Sequence, residues 1–189
     1  MGDLSIRRAG VADARLIADM HVAAWRESYA SLMPADYLAA LNAEERAARW
    51  RDTLRAGEQG ADDAVFLVSR PGEPPLGFAA CGRQRSERVA GAGFVGDFSA
   101  VYILSPLQRQ GGGRRLLGAM AAHLVSRGIV SAGVWVLRDR TPARRFYEAL
   151  GASETGIEGV WSIPGADFPD LAYGWRDLAP LAAESTCQK

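Results

Sequence analysis

Three consecutive glycines followed by two arginines form the stretch whose residue types most directly suggest ligand chemistry. They lie in the segment Ser105–Met120, which reads SPLQRQGGGRRLLGAM. The start of a helix has unpaired backbone N–H groups and a partial positive charge, and glycines let an anion approach the backbone. Arginines in a first helical turn oppose the helix dipole unless an anion lies beside them. The segment predicts a phosphate-binding loop, and a flexible turn with surface arginines is the alternative.

Motifs for other chemistries are missing or stand in the wrong context. Gly91–Gly96, GAGFVG, matches the dinucleotide fingerprint in letters, but it follows a polar loop and opens a strand. The sequence has no G-x-x-x-x-G-K-[ST], H-E-x-x-H, C-x-x-C or G-x-S-x-G, so we expect no P-loop, no metal site and no hydrolase nucleophile. The two histidines are isolated in the sequence, and His123 is expected on a helix surface.

The composition excludes several classes of protein. The chain has 189 residues, 48% of them hydrophobic, and zero formal net charge, which fits a globular domain and argues against a general nucleic-acid binder. No apolar run reaches the roughly 18 residues that a membrane span needs, and the first residues do not resemble a signal peptide. Cys81 and Cys187 form no disulfide framework. We therefore expect a cytoplasmic protein with no membrane or nucleic-acid partner.

Hydrophobic periodicity predicts the elements that must position this loop. The first half of the chain has a strand at Leu4–Arg8, three helical segments between Asp13 and Arg55, and a hairpin of strands Ala64–Ser69 and Leu76–Gly82. A polar glycine-rich loop follows, and then a long strand Phe94–Ser105 and a helix to about Arg127. The last part has a strand Gly133–Leu137, a short helix that ends at Gly151, and one or two final strands. This order favours a mixed sheet with helices on both faces, which is an α/β architecture.

With these motifs in place, the chain resembles the GNAT acetyltransferase superfamily. Gln108, Gly111 and Gly113 match its Q/R-x-x-G-x-G/A signature, between an apolar strand ending in VYILSP and a helix beginning RRLL. Downstream, VWVLRDRTPARRFYEALGA is similar to the family's strand and helix ending in F-Y-x-x-x-G. The resemblance implies a GNAT fold, a mostly antiparallel twisted sheet of about seven strands, in one domain over residues 4–178, with a flexible tail at 179–189.

The resemblance implies transfer of an acetyl group from acetyl-CoA to a primary amine, without a metal. Backbone N–H groups from Gln110 to Arg114 would hold the CoA pyrophosphate, and the strand at Val101–Ile103 would pair with the pantetheine arm while Gly133–Leu137 splays away. The implied cofactor-binding residues are Val101, Tyr102, Ile103, Gln108, Arg109, Gln110, Gly111, Gly112, Gly113, Arg114 and Arg140. Two of them depart from the family pattern, since Arg140 stands where asparagine is usual and Gly112 where a branched apolar residue is usual.

The resemblance also suggests catalytic and acceptor-binding residues. Tyr147 matches the family's general acid, and Asp97 lies where many members have a carboxylate base, which would act here through a water. Packing beside Phe146 is the alternative for Tyr147, and an exposed strand position is the alternative for Asp97. Trp25 and Tyr29 share one helix face that would border the acceptor channel, with core packing the favoured alternative for Trp25.

Several functions remain open at this level. Transfer of a different acyl group is one alternative, a non-catalytic acyl-CoA sensor or scaffold of the same fold is another, and an unrelated phosphate-ligand binder is a third. The acceptor can be a protein N-terminus, a lysine, a polyamine, an aminoglycoside or an amino-acid-like metabolite. A homodimer is compatible with the resemblance, because dimers are common in the family.

Overall fold

A computed structural model describes residues 3–184 and has seven strands and seven α-helices within that range. The strands are β1 (Ser5–Arg8), β2 (Ala64–Ser69), β3 (Gly77–Arg83), β4 (Gly96–Ile103), β5 (Ala132–Leu137), β6 (Ser153–Ile163) and β7 (Ala166–Trp175). The helices are α1 (Ala14–Tyr29), α2 (Ala35–Ala39), α3 (Ala43–Glu58), α4 (Glu87–Gly91), α5 (Gly112–Ser126), α6 (Thr141–Ala149) and α7 (Ala179–Ala183).

All seven strands belong to one sheet, in the order β1-β2-β3-β4-β5-β7-β6. Every neighbouring pair is antiparallel except β4 and β5, which run parallel. The predicted mixed, mostly antiparallel sheet of about seven strands is confirmed, and so is the hairpin of β2 and β3. The continuous apolar run of β2 is buried on both faces, because Val65 and Leu67 pack toward α1 and α3 while Ala64 and Val68 pack toward α5.

The parallel pair β4 and β5 separates soon after it begins. The two strands pair only at Gly96 with Ala132 and at Asp97 with Gly133. Beyond this point β4 stays on β3 as far as Ile103, while β5 follows β7 along its whole length. Ser99 is an extra residue of β4 in the register with β3, and such a bulge bends a strand away from its neighbour. The predicted splaying of β4 and β5 is thus present, and it opens a wedge in the sheet.

The short helix α4 was not expected from the sequence. Residues 83–93 were predicted to be a polar loop, but the Ser86 hydroxyl accepts a hydrogen bond from the N–H of Val89 at 3.5 Å and caps the helix. Val89 is fully buried against Phe94 and Ala172. The polar, glycine-rich composition of this segment predicted a loop, and the single buried side chain of Val89 was not recognised as the contact that holds a helix in place.

The predicted flexible tail begins with an ordered helix. Leu178, at the N-terminal cap of α7, and Leu181 within it are buried in the same core as α5, so α7 packs against α5. The prediction was wrong for this part of the tail, because two leucines spaced three residues apart on one helix face can dock on an apolar surface. Residues 185–189, with Cys187, lie outside the described residues.

Candidate active site

A cleft of about 740 Å³ lies where β4 and β5 separate. All the predicted cofactor positions line it except Gln110, and so do Tyr147, Tyr29 and Trp25. Asp97 is absent from its walls. The tertiary structure therefore brings together residues that are up to about 120 positions apart in the chain, from α1 to α6.

The glycine loop turns sharply into α5. Arg109 and Gly111 have positive φ angles of 58° and 86°, and no atom lies within 4 Å of the position that a Cβ on Gly111 would take. The first hydrogen bond of the helix runs from the N–H of Arg115 to the carbonyl of Gly111 at 3.1 Å. The N–H groups between these residues consequently have no acceptor inside the helix. This open, N–H-rich turn fits a pyrophosphate.

Other groups of the protein engage the side chains around this loop. Arg114 forms an ion pair with Glu184 at 2.6 Å, and Arg115 donates to the Leu4 carbonyl at 2.7 Å. Both arginines therefore have acceptors within the protein, from Leu4 just before β1 and from Glu184 just after α7, and they do not depend on a bound anion alone. Gln110 donates to the Pro106 carbonyl at 2.8 Å, so its side chain braces the loop from behind.

Tyr147 stands in α6 at the wall of the cleft. Its side chain is buried, and its ring packs at 5.4 Å from Phe146 and 5.9 Å from Trp175. Burial raises the pKa of the phenol above its ordinary value, so the group is neutral and carries a proton to donate. Tyr147 therefore both packs beside Phe146 and lines the cleft.

Asp97 is in a different place from the one expected of a base. It lies in the short paired part of β4 and β5, and it is only 6% exposed, so the alternative of an exposed strand position is wrong. Arg85 donates to its Oδ2 from two nitrogens, at 3.0 and 3.2 Å. Burial raises the pKa of Asp97 although Arg85 opposes the shift. The carboxyl group of Asp97 thus pairs with Arg85 and does not line the cleft.

Aromatic side chains from α1 and β6 form the wall opposite α6. Trp25 donates from Nε1 to the hydroxyl of Tyr102 at 2.9 Å, and its ring meets those of Tyr29 at 5.3 Å and Trp161 at 5.4 Å. Trp25 is half-buried and lines the cleft, so core packing describes only part of its environment. Trp161 was not identified as a site residue from the sequence, because nothing in its local sequence indicates that its ring contacts Trp25.

Arg140 reaches toward α1. It precedes α6, donates from Nη1 to the Ser28 carbonyl at 2.6 Å, and holds its guanidinium carbon 5.3 Å from the Tyr29 ring centre. A cation is favourable at this carboxyl end of α1 because it meets the negative end of the helix dipole. These contacts connect the start of α6 to the C-terminal end of α1, where Tyr29 belongs to the aromatic wall.

His21, which is isolated in the sequence, lies in a cluster of aromatic rings in the fold. Its ring lies 5.1 to 5.7 Å from the rings of Trp25, Trp50, Phe78 and Tyr102. Burial, together with the nearby charge of Arg46, lowers the pKa of His21 to about 3. The ring is therefore a neutral packing group that supports the aromatic wall from behind. His123 is half-buried, with Nε2 3.0 Å from the Asp62 carbonyl oxygen.

A second carboxylate, Asp170, lines the cleft and was not singled out in the sequence. It lies in β7, where it pairs with Leu137 of β5 and with Gly159 of β6. Its Oδ1 is buried and has no hydrogen-bond partner among residues 3–184, and burial raises its pKa. A signal was available, because Asp170 directly precedes the buried run Leu171–Trp175 of its strand, whereas Asp167, the other charged residue of β7, is exposed.

No group of three or more potential ligands is placed to hold a metal ion within the described part of the chain. None of the helices between residues 3 and 184 is long and apolar enough to cross a bilayer.

Comparison with known proteins agrees with this geometry. The model of the acetyltransferase (GNAT) family matches residues 22–152. The uncharacterized N-acetyltransferase YuaI of Bacillus subtilis (strain 168) is 34% identical over 178 residues, covering 94% of this chain and 96% of the relative. The chain belongs to the GNAT family, so the resemblance seen in the sequence is confirmed, and the protein is an N-acetyltransferase that uses acetyl-CoA.

Solved structures share the fold at low sequence identity. PaiA N-acetyltransferase from Thermoplasma acidophilum, in complex with coenzyme A, has a TM-score of 0.67 at 15% identity, over 89% of this chain and 98% of that one. The acetyltransferase yncA from Salmonella typhimurium, with its cofactor acetyl-CoA, has a TM-score of 0.64 at 18% identity, over 93% and 94% of the two chains.

Proposed function

We propose that this enzyme acetylates a small primary amine carried on an apolar body. The observation that carries the proposal is the makeup of the wall opposite α6, where Trp25, Tyr29, Met33 and Trp161 line the cleft. Asp170 is the one acidic residue on the cleft walls among residues 3–184. A polyamine or an aminoglycoside carries several positive charges, and desolvating them calls for several carboxylates. Aromatic rings with one carboxylate suit a single ammonium group on an apolar body.

The residues of the cleft divide into two binding regions in this proposal. The N–H groups from Gln110 to Arg114 hold the CoA pyrophosphate, and the free edge of β4 pairs with the pantetheine arm, in the manner of an added strand. The separation of β4 from β5 supports this assignment, because it leaves backbone groups of Val101–Ile103 without a partner strand on that side. The amine enters from the aromatic side.

Transfer proceeds in this proposal by direct attack. The amine nitrogen forms a bond to the thioester carbon, the carbon–sulfur bond breaks, and the sulfur leaves with the bonding electrons. Tyr147 donates a hydrogen bond to that sulfur, which needs little help because its thiol has a pKa of about 8.5. An ammonium ion has no lone pair, so it must lose a proton before it attacks.

A panel of amines tests the acceptor class. Release of free thiol from acetyl-CoA is measured with 2-phenylethylamine, isoamylamine, spermidine, kanamycin and an alanine-initiated peptide, and each product is identified by mass. We expect the two apolar amines to have the highest kcat/KM, by about tenfold or more, because only they match the rings and the single carboxylate. A polyamine or peptide at the top of the ranking would contradict the proposed class.

A matched pair of variants tests whether Trp161 of the aromatic wall contacts the acceptor amine. Trp161→Ala is expected to raise the KM for the apolar amines about tenfold while CoA affinity stays unchanged, since Trp161 contacts only the acceptor side in this proposal. Val160→Ala is the control, because Val160 is the adjacent residue on the opposite face of β6 and is 62% exposed. Equal effects of the two substitutions would remove Trp161 from the acceptor site.

The cellular compartment and the oligomeric state, both expected from the sequence, are also part of the proposal. We place the enzyme in the cytoplasm, in keeping with the lack of a disulfide framework, and we keep a homodimer as the proposed assembly. Cell fractionation tests the first, and the molar mass from light scattering tests the second.

A further inference from the structure

We propose that Asp170 is the catalytic base, which binds the ammonium group of the acceptor and removes its proton. The proposal rests on N-acetylation of a primary amine, but it does not depend on which amine is the natural acceptor. Neither the signature of the glycine loop nor the F-Y-x-x-x-G pattern of α6 includes this residue, which lies in β7. Three observations support the assignment.

The first observation is the face of the sheet on which Asp170 lies. Leu171 and Tyr173 pack into the core on the α5 side. Side chains alternate along a strand, so Asp170 and Ala172 lie on the other face, where Ala172 packs near Trp135. Trp135 also lines the cleft. Asp170 therefore lies on the α1 side of the sheet, which is the side of the aromatic wall.

The second observation is a recess that the carboxyl group occupies. Gly159 of β6 is the cross-strand partner of Asp170, and a Cβ at residue 159 would collide with Oδ1 of the aspartate. Two ring carbons of Trp135 would lie 3.0 and 3.1 Å from the same Cβ. Glycine at 159 therefore makes room for the carboxyl beneath the indole ring. Oδ1 is buried there and accepts no hydrogen bond from residues 3–184.

The third observation is that charged groups on the neighbouring elements have other partners. Arg138, just beyond β5, pairs with Glu158 of β6 at 2.6 Å, and Arg140 donates to the Ser28 carbonyl. Asp139 and Asp167 are exposed. No cation among residues 3–184 is thus paired with Asp170, in contrast to Asp97 and Arg85. An unpaired carboxylate with a desolvated oxygen is suited to an incoming ammonium group and attracts its proton more strongly than an exposed one.

The proton balance follows from this position. The ammonium group binds as a cation, and one proton passes from nitrogen to the carboxylate, directly or through one water. The free amine then attacks the thioester, the C–N bond forms and the C–S bond breaks. Nitrogen loses a second proton as the amide forms. Of the two protons, one ends on the thiol and the other leaves through Asp170 to solvent, which restores the carboxylate.

The pH profile of Asp170→Asn tests the base, using whichever panel amine has the highest kcat/KM. In the wild type, kcat/KM for total amine is expected to level off once the carboxyl is ionised. The variant can use only amine that is already neutral. Its kcat/KM should be about 10²-fold lower at pH 7 and should keep rising about tenfold per pH unit toward the amine pKa near 10. A purely structural effect would lower the whole profile without removing its plateau.

Three further variants make the result specific. Asp167→Asn is the matched control on the same strand, and Asp97→Asn tests the other candidate carboxylate; both should keep the plateau. Asp170→Ser is used if asparagine crowds Trp135 and prevents folding, which the melting temperature reports. A plateau that survives in Asp170→Asn but disappears in Asp97→Asn would overturn the proposal and assign the base to β4.

A binding measurement separates this proposal from the proposed acceptor class. Titration calorimetry measures 2-phenylethylamine and 2-phenylethanol binding to the CoA-saturated protein. Asp170→Asn should weaken the amine about tenfold and leave the alcohol unchanged. If the wild type binds and acetylates this amine but the variant matches it in both assays, Asp170 is not the base although the function stands. If the wild type prefers another panel amine, the apolar acceptor class fails, and the pH profile with that amine still decides the role of Asp170.

Discussion

At the scale of single residues, burial decides which groups of the cleft can move a proton. Tyr147 is buried and its pKa is raised, so its phenol stays protonated across the range in which the enzyme works. A neutral phenol is a good hydrogen-bond donor to a departing thiolate but a weak proton source, because its pKa lies above that of the thiol. We therefore expect Tyr147 to act mainly by donation to the leaving sulfur.

The substitution Tyr147→Phe removes that donor while keeping the ring. We expect kcat to fall about 10²-fold with the CoA dissociation constant unchanged, because the donated hydrogen bond strengthens only as negative charge develops on sulfur. Steady-state kinetics and calorimetry with CoA measure the two quantities.

Tyr173→Phe is the matched control for Tyr147→Phe. The Tyr173 hydroxyl donates to Glu148 at 2.9 Å, in a network outside the cleft, so its loss should lower the melting temperature and leave kcat unchanged. A Tyr147→Phe enzyme with wild-type kcat would show that the tyrosine only packs.

At the scale of elements, the glycine loop combines two different requirements. Gly112 is buried, and a Cβ there would make ordinary contacts of 3.6 to 3.7 Å with Ile103, Val68 and Leu4. The residue therefore faces the core, which accounts for the branched apolar residue that the family pattern has at this position. A Cβ on Gly113 would instead lie 2.9 Å from the ring of Phe146. Neighbouring glycines in the loop are thus unequal in their tolerance of a side chain.

Alanine at these two positions tests the difference. Gly112→Ala should stabilise the protein by about 0.4–1 kcal/mol, since the alanine fits and reduces the freedom of the unfolded chain, and CoA binding should not change. Gly113→Ala should weaken CoA binding several-fold, because Phe146 must move at the wall of the cleft. Denaturant unfolding and calorimetry with CoA measure these effects. Equal losses of CoA affinity at both positions would show that a side chain at residue 112 also disturbs the cofactor site.

At the scale of the whole molecule, the C-terminal helix completes the core beneath the cofactor loop. Leu178 and Leu181 of this region are buried in the core that contains the apolar stripe of α5. Glu184, just after α7, pairs with Arg114 in the first turn of α5. The end of the described chain is therefore connected both to the core and to the edge of the cleft.

A pair of substitutions tests how α7 contributes to stability. Leu181→Ala should lower the free energy of unfolding by about 2–4 kcal/mol, because it leaves a cavity in a packed core. Glu184→Gln should change it by less than about 1 kcal/mol, since the ion pair with Arg114 is largely exposed to solvent. Both values come from denaturant unfolding. A Leu181→Ala protein as stable as the wild type would mean that α7 is not docked in solution.

The sequence by itself determined the order of the strands and of the longer helices and the glycine loop, because these follow from hydrophobic periodicity and from a motif a few residues long. The wedge between β4 and β5 was implied by the family resemblance, and the short helices α4 and α7 were not expected. Only the tertiary structure decided the acceptor side of the cleft. A charged residue beside apolar strand positions draws attention to Asp97 and to Asp170 alike, but Asp97 is paired with Arg85 outside the walls of the cleft, whereas Asp170 lines the cleft. The surroundings of a carboxyl group depend on strands distant in sequence, here β5 and β6, and no local pattern contains them.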